Sequence, residues 1–152
     1  MNDGRWSVTV LDLAPEETDG VGGKIPITSE ERKKIRYLSP RVIPPRICAE
    51  DDAGMIKIAQ ENYRRIQKIW DMLESASPQI LCINDASLYL HGGTTEELLY
   101  RLKNIPTVLM NAYCGNYFAD NILTRREREH MKTLISRCDQ ILYLPRISKV
   151  EK

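Results

Sequence analysis

The sequence predicts an α/β fold, a three-layer α/β/α arrangement with a mostly parallel sheet of four or five strands, Rossmann-like or P-loop-like in outline. Three observations lead there. Short apolar runs recur along the chain, several of them ending in a polar residue. Amphipathic stretches, each long enough for a single helix, lie between them. Three stretches open on Thr-x-x-Glu, the signature of a capped helix start. Apolar strands separated by single helices imply a parallel sheet with right-handed connections.

The first run, Val8-Thr9-Val10-Leu11-Asp12-Leu13, is short and rich in β-branched residues and ends at Ala14-Pro15, so it reads as a strand. A polar loop with Gly20, Gly22, Gly23 and Lys24 follows. Thr28 and Glu31 form a capping box, which predicts a short helix to about Tyr37. Pro40, Pro44 and Pro45 exclude a regular helix over 39–49 and leave room for short extended pieces at a sheet edge. Asp51 or Asp52 caps the longest helix, which runs to about Ser75. Its apolar stripe is Met55, Ile56, Ala59, Tyr63, Ile66, Ile69, Trp70 and Leu73, at three- and four-residue steps. Ile80-Leu81-Cys82-Ile83 is continuous and apolar, as a buried parallel strand is, and Asn84-Asp85 follow it. A loop through His91-Gly92-Gly93 leads to a second capping box, Thr94 to Glu97, and a helix with Leu98, Leu99 and Leu102. Thr107-Val108-Leu109-Met110 is the next strand, ending in Asn111. After a loop over 112–123, a third box, Thr124 to Glu127, predicts a helix carrying Met131, Leu134 and Ile135. Gln140-Ile141-Leu142-Tyr143-Leu144 reads as the last strand, stopped by Pro145.

The 152 residues suit one domain, expected over 1–145 with a tail at 146–152. Lys and Arg number 22 and Asp and Glu 21, a net charge of +1 that argues against a dedicated nucleic-acid binder. No apolar run approaches the roughly 20 residues of a membrane-spanning helix, and the first residues lack the pattern of a signal peptide. The expectation is a cytoplasmic protein. Cys48, Cys82, Cys114 and Cys138 form no CxxC pair, and neither His91 nor His130 completes a metal-ligand spacing, so four free thiols are expected.

Ligands of open parallel sheets bind beyond the carboxyl ends of the strands. Gly20, Gly22, Gly23 and Lys24, then Asn84, Asp85, His91 and Asn111, all fall at that rim, as does Arg125 at the predicted helix start. Glycines let main-chain N–H groups approach a phosphate, and a lysine adds positive charge. The same loop also fits a plain surface turn. Arg125 and Arg126 oppose the dipole of a helix N-terminus, which an anion at the rim or Glu127 and Glu129 would offset. Arg41 and Arg46 flank Pro44-Pro45 as a lid over an anion or as an ordinary loop. His91 fits a general base, a phosphate contact or a structural histidine. The aromatic loop with Tyr113, Cys114, Asn116, Tyr117 and Phe118 suggests a docking surface.

The strand ending in Asp12, the strand ending in Asp85 and the strand ending in Asn111 together resemble a P-loop NTPase domain that lacks a standard Walker A motif. Thr18 stands in place of its first glycine, and Ile25 in place of its Ser or Thr. The resemblance implies that Asp85 takes the Walker B role and holds Mg²⁺ with a bound nucleotide. The leading expectation is therefore a nucleotide- or phosphate-binding domain. In it Gly20, Gly22, Gly23, Lys24, Asn84, Asn111 and Arg125 contact the ligand. Two alternatives stand beside it. One is a regulatory subunit completed by a protein partner or a homodimer. The other is an enzyme acting on a small metabolite through Asp85 or His91.

Overall fold

The computed structural model describes residues 7–18, 22–75, 77–114 and 118–143. Among these residues four parallel strands form one sheet: β1 (Val8–Asp12), β2 (Arg36–Leu38), β3 (Ile80–Asn84) and β4 (Thr107–Met110), in the order β2-β1-β3-β4. The α/β class and the parallel sheet are as the apolar runs imply. Among the described residues six helices accompany the strands: α1 (Ser29–Arg32), α2 (Pro45–Cys48), α3 (Asp52–Glu74), α4 (Ser87–Leu90), α5 (Thr95–Leu102) and α6 (Ile122–Ile135).

The register assigns each side chain to a face. Thr9 pairs with Arg36 and Leu81, and Leu11 with Leu38 and Ile83; Ile83 pairs in turn with Met110. Leu11, Leu81, Ile83, Val108 and Met110 therefore share one face. That face packs on Ile66, Trp70 and Leu73 of α3, Leu88 to Leu90 of α4, Leu98 and Leu102 of α5, and Met131 and Leu134 of α6. The stripe read from residues 55–73 is this buried face of α3. Tyr89 is wedged into it edge-on, with its ring centre 5.4 Å from that of Tyr63 and 6.2 Å from that of Trp70. Val10, Tyr37, Cys82 and Leu109 lie on the opposite face, where the Arg32 guanidinium of α1 stacks 4.7 Å from the Tyr37 ring.

Five local expectations need correction. The helix opened by Thr28 has its capping box but ends at Arg32, and Arg36–Leu38 becomes an edge strand instead of a last helical turn. Three β-type pairings with β1 outweigh one more turn of an exposed helix. Residues 87–90 are helical, and 39–49 hold the one-turn α2 with Pro45 in its first turn. Thr124 is not an N-cap. Asn121 caps α6 by accepting from the Thr124 N–H at 3.0 Å, so the helix begins three residues earlier than the Thr-x-x-Glu signal says. Residues 140–143 form no strand, and Leu144 and the tail lie outside the described residues.

Candidate functional site

The carboxyl ends of the strands are joined by a ladder of polar side chains, built from Asp12, Asn84 and Asn111 at the strand ends the sequence predicts and from Tyr37, which the sequence assigns to a helix end. Asp12, fully buried, is its centre. Its Oδ1 accepts from Asn84 Nδ2 at 2.8 Å and Ala14 N at 3.2 Å. Its Oδ2 accepts from Tyr37 Oη at 2.6 Å and Ile25 N at 2.7 Å. Asn111 Nδ2 donates to Asn84 Oδ1 at 2.9 Å. All four strands are thereby tied side chain to side chain. Burial and the Asp12 hydrogen bond push the Tyr37 phenol up to about 12, so it stays a donor.

This ladder reassigns several expected ligand contacts. Lys24 Nζ donates to the main-chain oxygens of Asp12 at 3.3 Å and Pro40 at 3.4 Å, and its burial lowers its pKa. Gly22 and Gly23 have φ of +79° and +129°, and a Cβ on Gly22 would stand 2.9 Å from Pro15 Cγ. Gly23 N–H donates to the Pro15 oxygen at 3.1 Å. These glycines fold the loop back on Pro15. Gly20 lies outside the described residues, as do Asn116 and Tyr117. Arg125 is exposed and paired with Asp120 at 3.1 Å, away from the cavity described below. Arg126 donates to the oxygens of Leu90 at 3.1 Å and Gly93 at 2.8 Å, so it fastens α6 to the end of α4.

Asp85 and His91, in contrast, come together. β3 ends at Asn84, and Asp85 turns the chain with φ +58°, a left-handed value that Asp tolerates better than most residues. Asn111 holds this turn, its Oδ1 accepting from Asp85 N–H at 2.5 Å and its main-chain oxygen from Ala86 N–H at 2.9 Å. Asp85 is one of the residues that line a cavity of about 130 Å³. Pro15, Gly22, Pro44, Pro45, Arg46, Ile47, Ser87, Leu88, His91, Tyr113 and Phe118 complete its lining.

Two of the lining residues, Arg46 and His91, join Glu127 in a buried triad from three helical segments. Glu127 Oε2 accepts from Arg46 Nη2 at 3.0 Å and stands 2.7 Å from His91 Nε2. The side chains of Arg46, Glu127 and His91 are 9%, 4% and 2% exposed. α2 delivers Arg46, because Asn62 of α3 holds the proline segment at Ile43 through bonds of 3.0 and 2.7 Å. The Arg46 guanidinium also stacks 4.6 Å from the Phe118 ring. His91 comes from α4, and the following Gly92 lies so close to α3 that a Cβ would meet Tyr63 Cβ at 2.5 Å.

Burial lowers the His91 pKa despite the Glu127 hydrogen bond, so the ring is neutral at pH 7. Burial alone would raise the Glu127 pKa, but the hydrogen bonds from His91 and Arg46 outweigh it and keep the carboxylate ionised. A neutral ring donates Nε2–H to Glu127, which leaves Nδ1 as a lone-pair acceptor. Burial raises the Asp85 carboxyl to about 6; the Ser87 hydroxyl and Arg46 oppose the shift, and the Glu127 charge adds to it. Three buried polar atoms in this constellation have no protein partner: Asp85 Oδ1, His91 Nδ1 and Arg46 Nε. Two acceptors and a donor on cavity-lining residues suit a ligand that carries both donor and acceptor groups.

The sequence places Asp85 and His91 in one region and offers Arg46 as part of a lid over an anion or as an ordinary loop residue, but it does not single out Glu127 or Ser87 as site residues. No local signal sets Glu127 apart: in the sequence it closes a Thr-x-x-Glu capping pattern, and its contacts with Arg46 and His91 arise only in the fold. Among the described residues no group of three or more His, Cys, Asp or Glu side chains is gathered for a metal ion, and no helix is long and apolar enough to cross a membrane. The four cysteines are free. No protein-family model matches the chain, and neither a curated protein nor a solved structure does.

Proposed function

We propose that the protein binds a small polar molecule in the Asp85–His91 cavity and carries out acid–base chemistry on it. The observation behind this reading is the set of three unpartnered buried atoms on residues lining one cavity. A cavity of 130 Å³ matches a ligand about the size of one six-membered ring. Pro44, Pro45, Leu88 and Phe118 offer its body an apolar wall. Asp85 Oδ1 and His91 Nδ1 take its donors, and Arg46 Nε–H gives one hydrogen bond to its acceptor. A carboxyl near 6 exchanges its proton close to neutral pH, which suits a general acid or base. Glu127 orients the imidazole and is a positioning residue, while Arg46 both contacts the ligand through Nε–H and fixes Glu127 through Nη2.

A screen of ring-sized polar fragments by ligand-observed NMR tests this. Hits are expected to weaken tenfold or more with Asp85→Asn and His91→Gln, a loss of about 1.4 kcal/mol or more, and to be unchanged with Arg125→Ala. Hits that ignore both cavity substitutions would sink the proposal. A second reading keeps the nucleotide or phosphate ligand with Mg²⁺ on Asp85. It is favoured by Gly22 and Arg46 lining the same cavity at the edge where parallel sheets take ligands. Its mark is a Mg²⁺-dependent rise in melting temperature with one nucleotide, lost in Asp85→Asn.

A further inference from the structure

We propose that the protein has a second binding site, for a small organic carboxylate, at the opposite end of the sheet from the Asp85 cavity. This inference is independent of the acid–base reading. Its seat is a cavity of about 500 Å³, where the chain passes from α3 to β3 and from α5 to β4. Gln79 and Pro106, which line it, immediately precede those two strands, so it lies at their amino ends. The volume is within the usual range of small-molecule sites.

Trp70 is the residue that points to a ligand. It lines this cavity and is 1% exposed, and its indole Nε1–H is buried with no acceptor in the protein. A buried tryptophan N–H normally has a partner. The rest of the ring is well held. Tyr89 meets it edge-on at 6.2 Å, and the Arg101 guanidinium lies 5.9 Å from its centre. The indole is therefore fixed before any ligand arrives, and its single donor needs an acceptor that the cavity can supply.

Lys103 makes that acceptor an anion. The described residues of the lining include Arg101 and Lys103 but no Asp or Glu. Arg101 is engaged elsewhere: its Nη2 donates to Gln67 Oε1, and its Nε lies 3.7 Å from Glu97 Oε1. Lys103 sits at the C-terminal end of α5, where the helix dipole favours a cation. Its ammonium rests 3.7 Å from the centre of the Tyr100 ring, which also lines the cavity. An ammonium and a neutral N–H donor together suit the two oxygens of a carboxylate. Tyr100, Pro78 and Ile105 give apolar surface to the body that carries it.

Benzoate is the probe, with uncharged benzamide as its control. The chain has two tryptophans, and Trp6→Phe identifies the Trp70 indole signal in a ¹⁵N-correlation spectrum. Benzoate is expected to move that signal saturably, together with the amides of 103–105. Benzamide should bind at least threefold more weakly. Lys103→Gln, an exposed change, should weaken benzoate at least threefold and leave benzamide unchanged. Trp70→Phe should weaken benzoate tenfold; if that core change unfolds the chain, Lys103→Gln decides alone. A Trp70 signal unmoved by millimolar benzoate would overturn the proposal, as would shifts confined to residues 85–91. Equal binding of benzamide, or of benzoate to Lys103→Gln, would overturn it as well.

Discussion

Asp85 is held in an unfavourable state by its surroundings. Its carboxyl has a pKa of about 6 in the fold against an ordinary 3.8, because burial disfavours its charge. Between those values the folded chain binds the proton more tightly than the unfolded chain. Stability from this group is therefore greatest at low pH and declines as pH rises through 3.8 to 6. Asp85→Asn removes the charge and suits the φ of +58° at this position. The variant is expected to be more stable than wild type at pH 8 by about 3 kcal/mol, or roughly 6–12 °C in Tm. The gain should vanish at pH 4, where the wild-type carboxyl is mostly protonated. Calorimetry at both pH values checks this, and an equal gain at both would mean that charge burial is not its source. Stability gained with ligand binding lost is the trade-off of a residue kept for function.

At the scale of elements, caps and close contacts decide where helices begin and how near they lie. Asn121 caps α6 through the Thr124 N–H, while Thr124 Oγ donates to the Ala119 oxygen at 3.0 Å. Asn121→Ala is expected to cost about 1 kcal/mol in urea unfolding, the usual worth of an N-cap. No change in midpoint would return the helix start to Thr124. This start matters to the site. It puts Glu127 in the second turn of α6, where its carboxylate meets Arg46 and His91 instead of closing a capping box at the helix start. Gly92 brings α4 onto α3 with the same consequence for His91.

For the whole molecule, the Asp12 ladder couples the sheet to the loops that wall the cavity. Four donors converge on this one buried carboxylate: Ala14 N, Ile25 N, Tyr37 Oη and Asn84 Nδ2. Replacing it with Ala strands all four, and a buried donor left unpaired costs about 1–3 kcal/mol. Asp12→Ala is expected to lose at least about 3 kcal/mol of global stability, measured by urea unfolding. A loss within 0.5 kcal/mol, as expected for the exposed Arg125→Ala, would show that water replaces the ladder. The same ladder explains why the glycine–lysine loop resembles a phosphate site: its polar groups are directed at the ends of the strands they bridge.

Much of this architecture was legible in residue order alone. Apolar runs at 8–12, 80–83 and 107–110 became strands, and the stripe from Met55 to Leu73 became the buried face of α3, because burial periodicity is written locally. The carboxyl-edge rule likewise brought Asn84, Asp85, His91 and Asn111 into one region without coordinates. Pairing was not legible. Whether Arg36–Leu38 or residues 140–143 would take a sheet edge depended on which neighbour each could reach, and a short strand has no stability without that partner. Nor was the division of labour among the polar residues. Asp12, Asp85 and Glu127 are alike as letters, yet one accepts four hydrogen bonds, one carries a raised pKa beside a cavity, and one is ionised between Arg46 and His91. Charge and hydrogen bonding are set by atoms 2.5–3.5 Å away, and for buried groups those atoms come from distant parts of the chain that only the tertiary fold brings together.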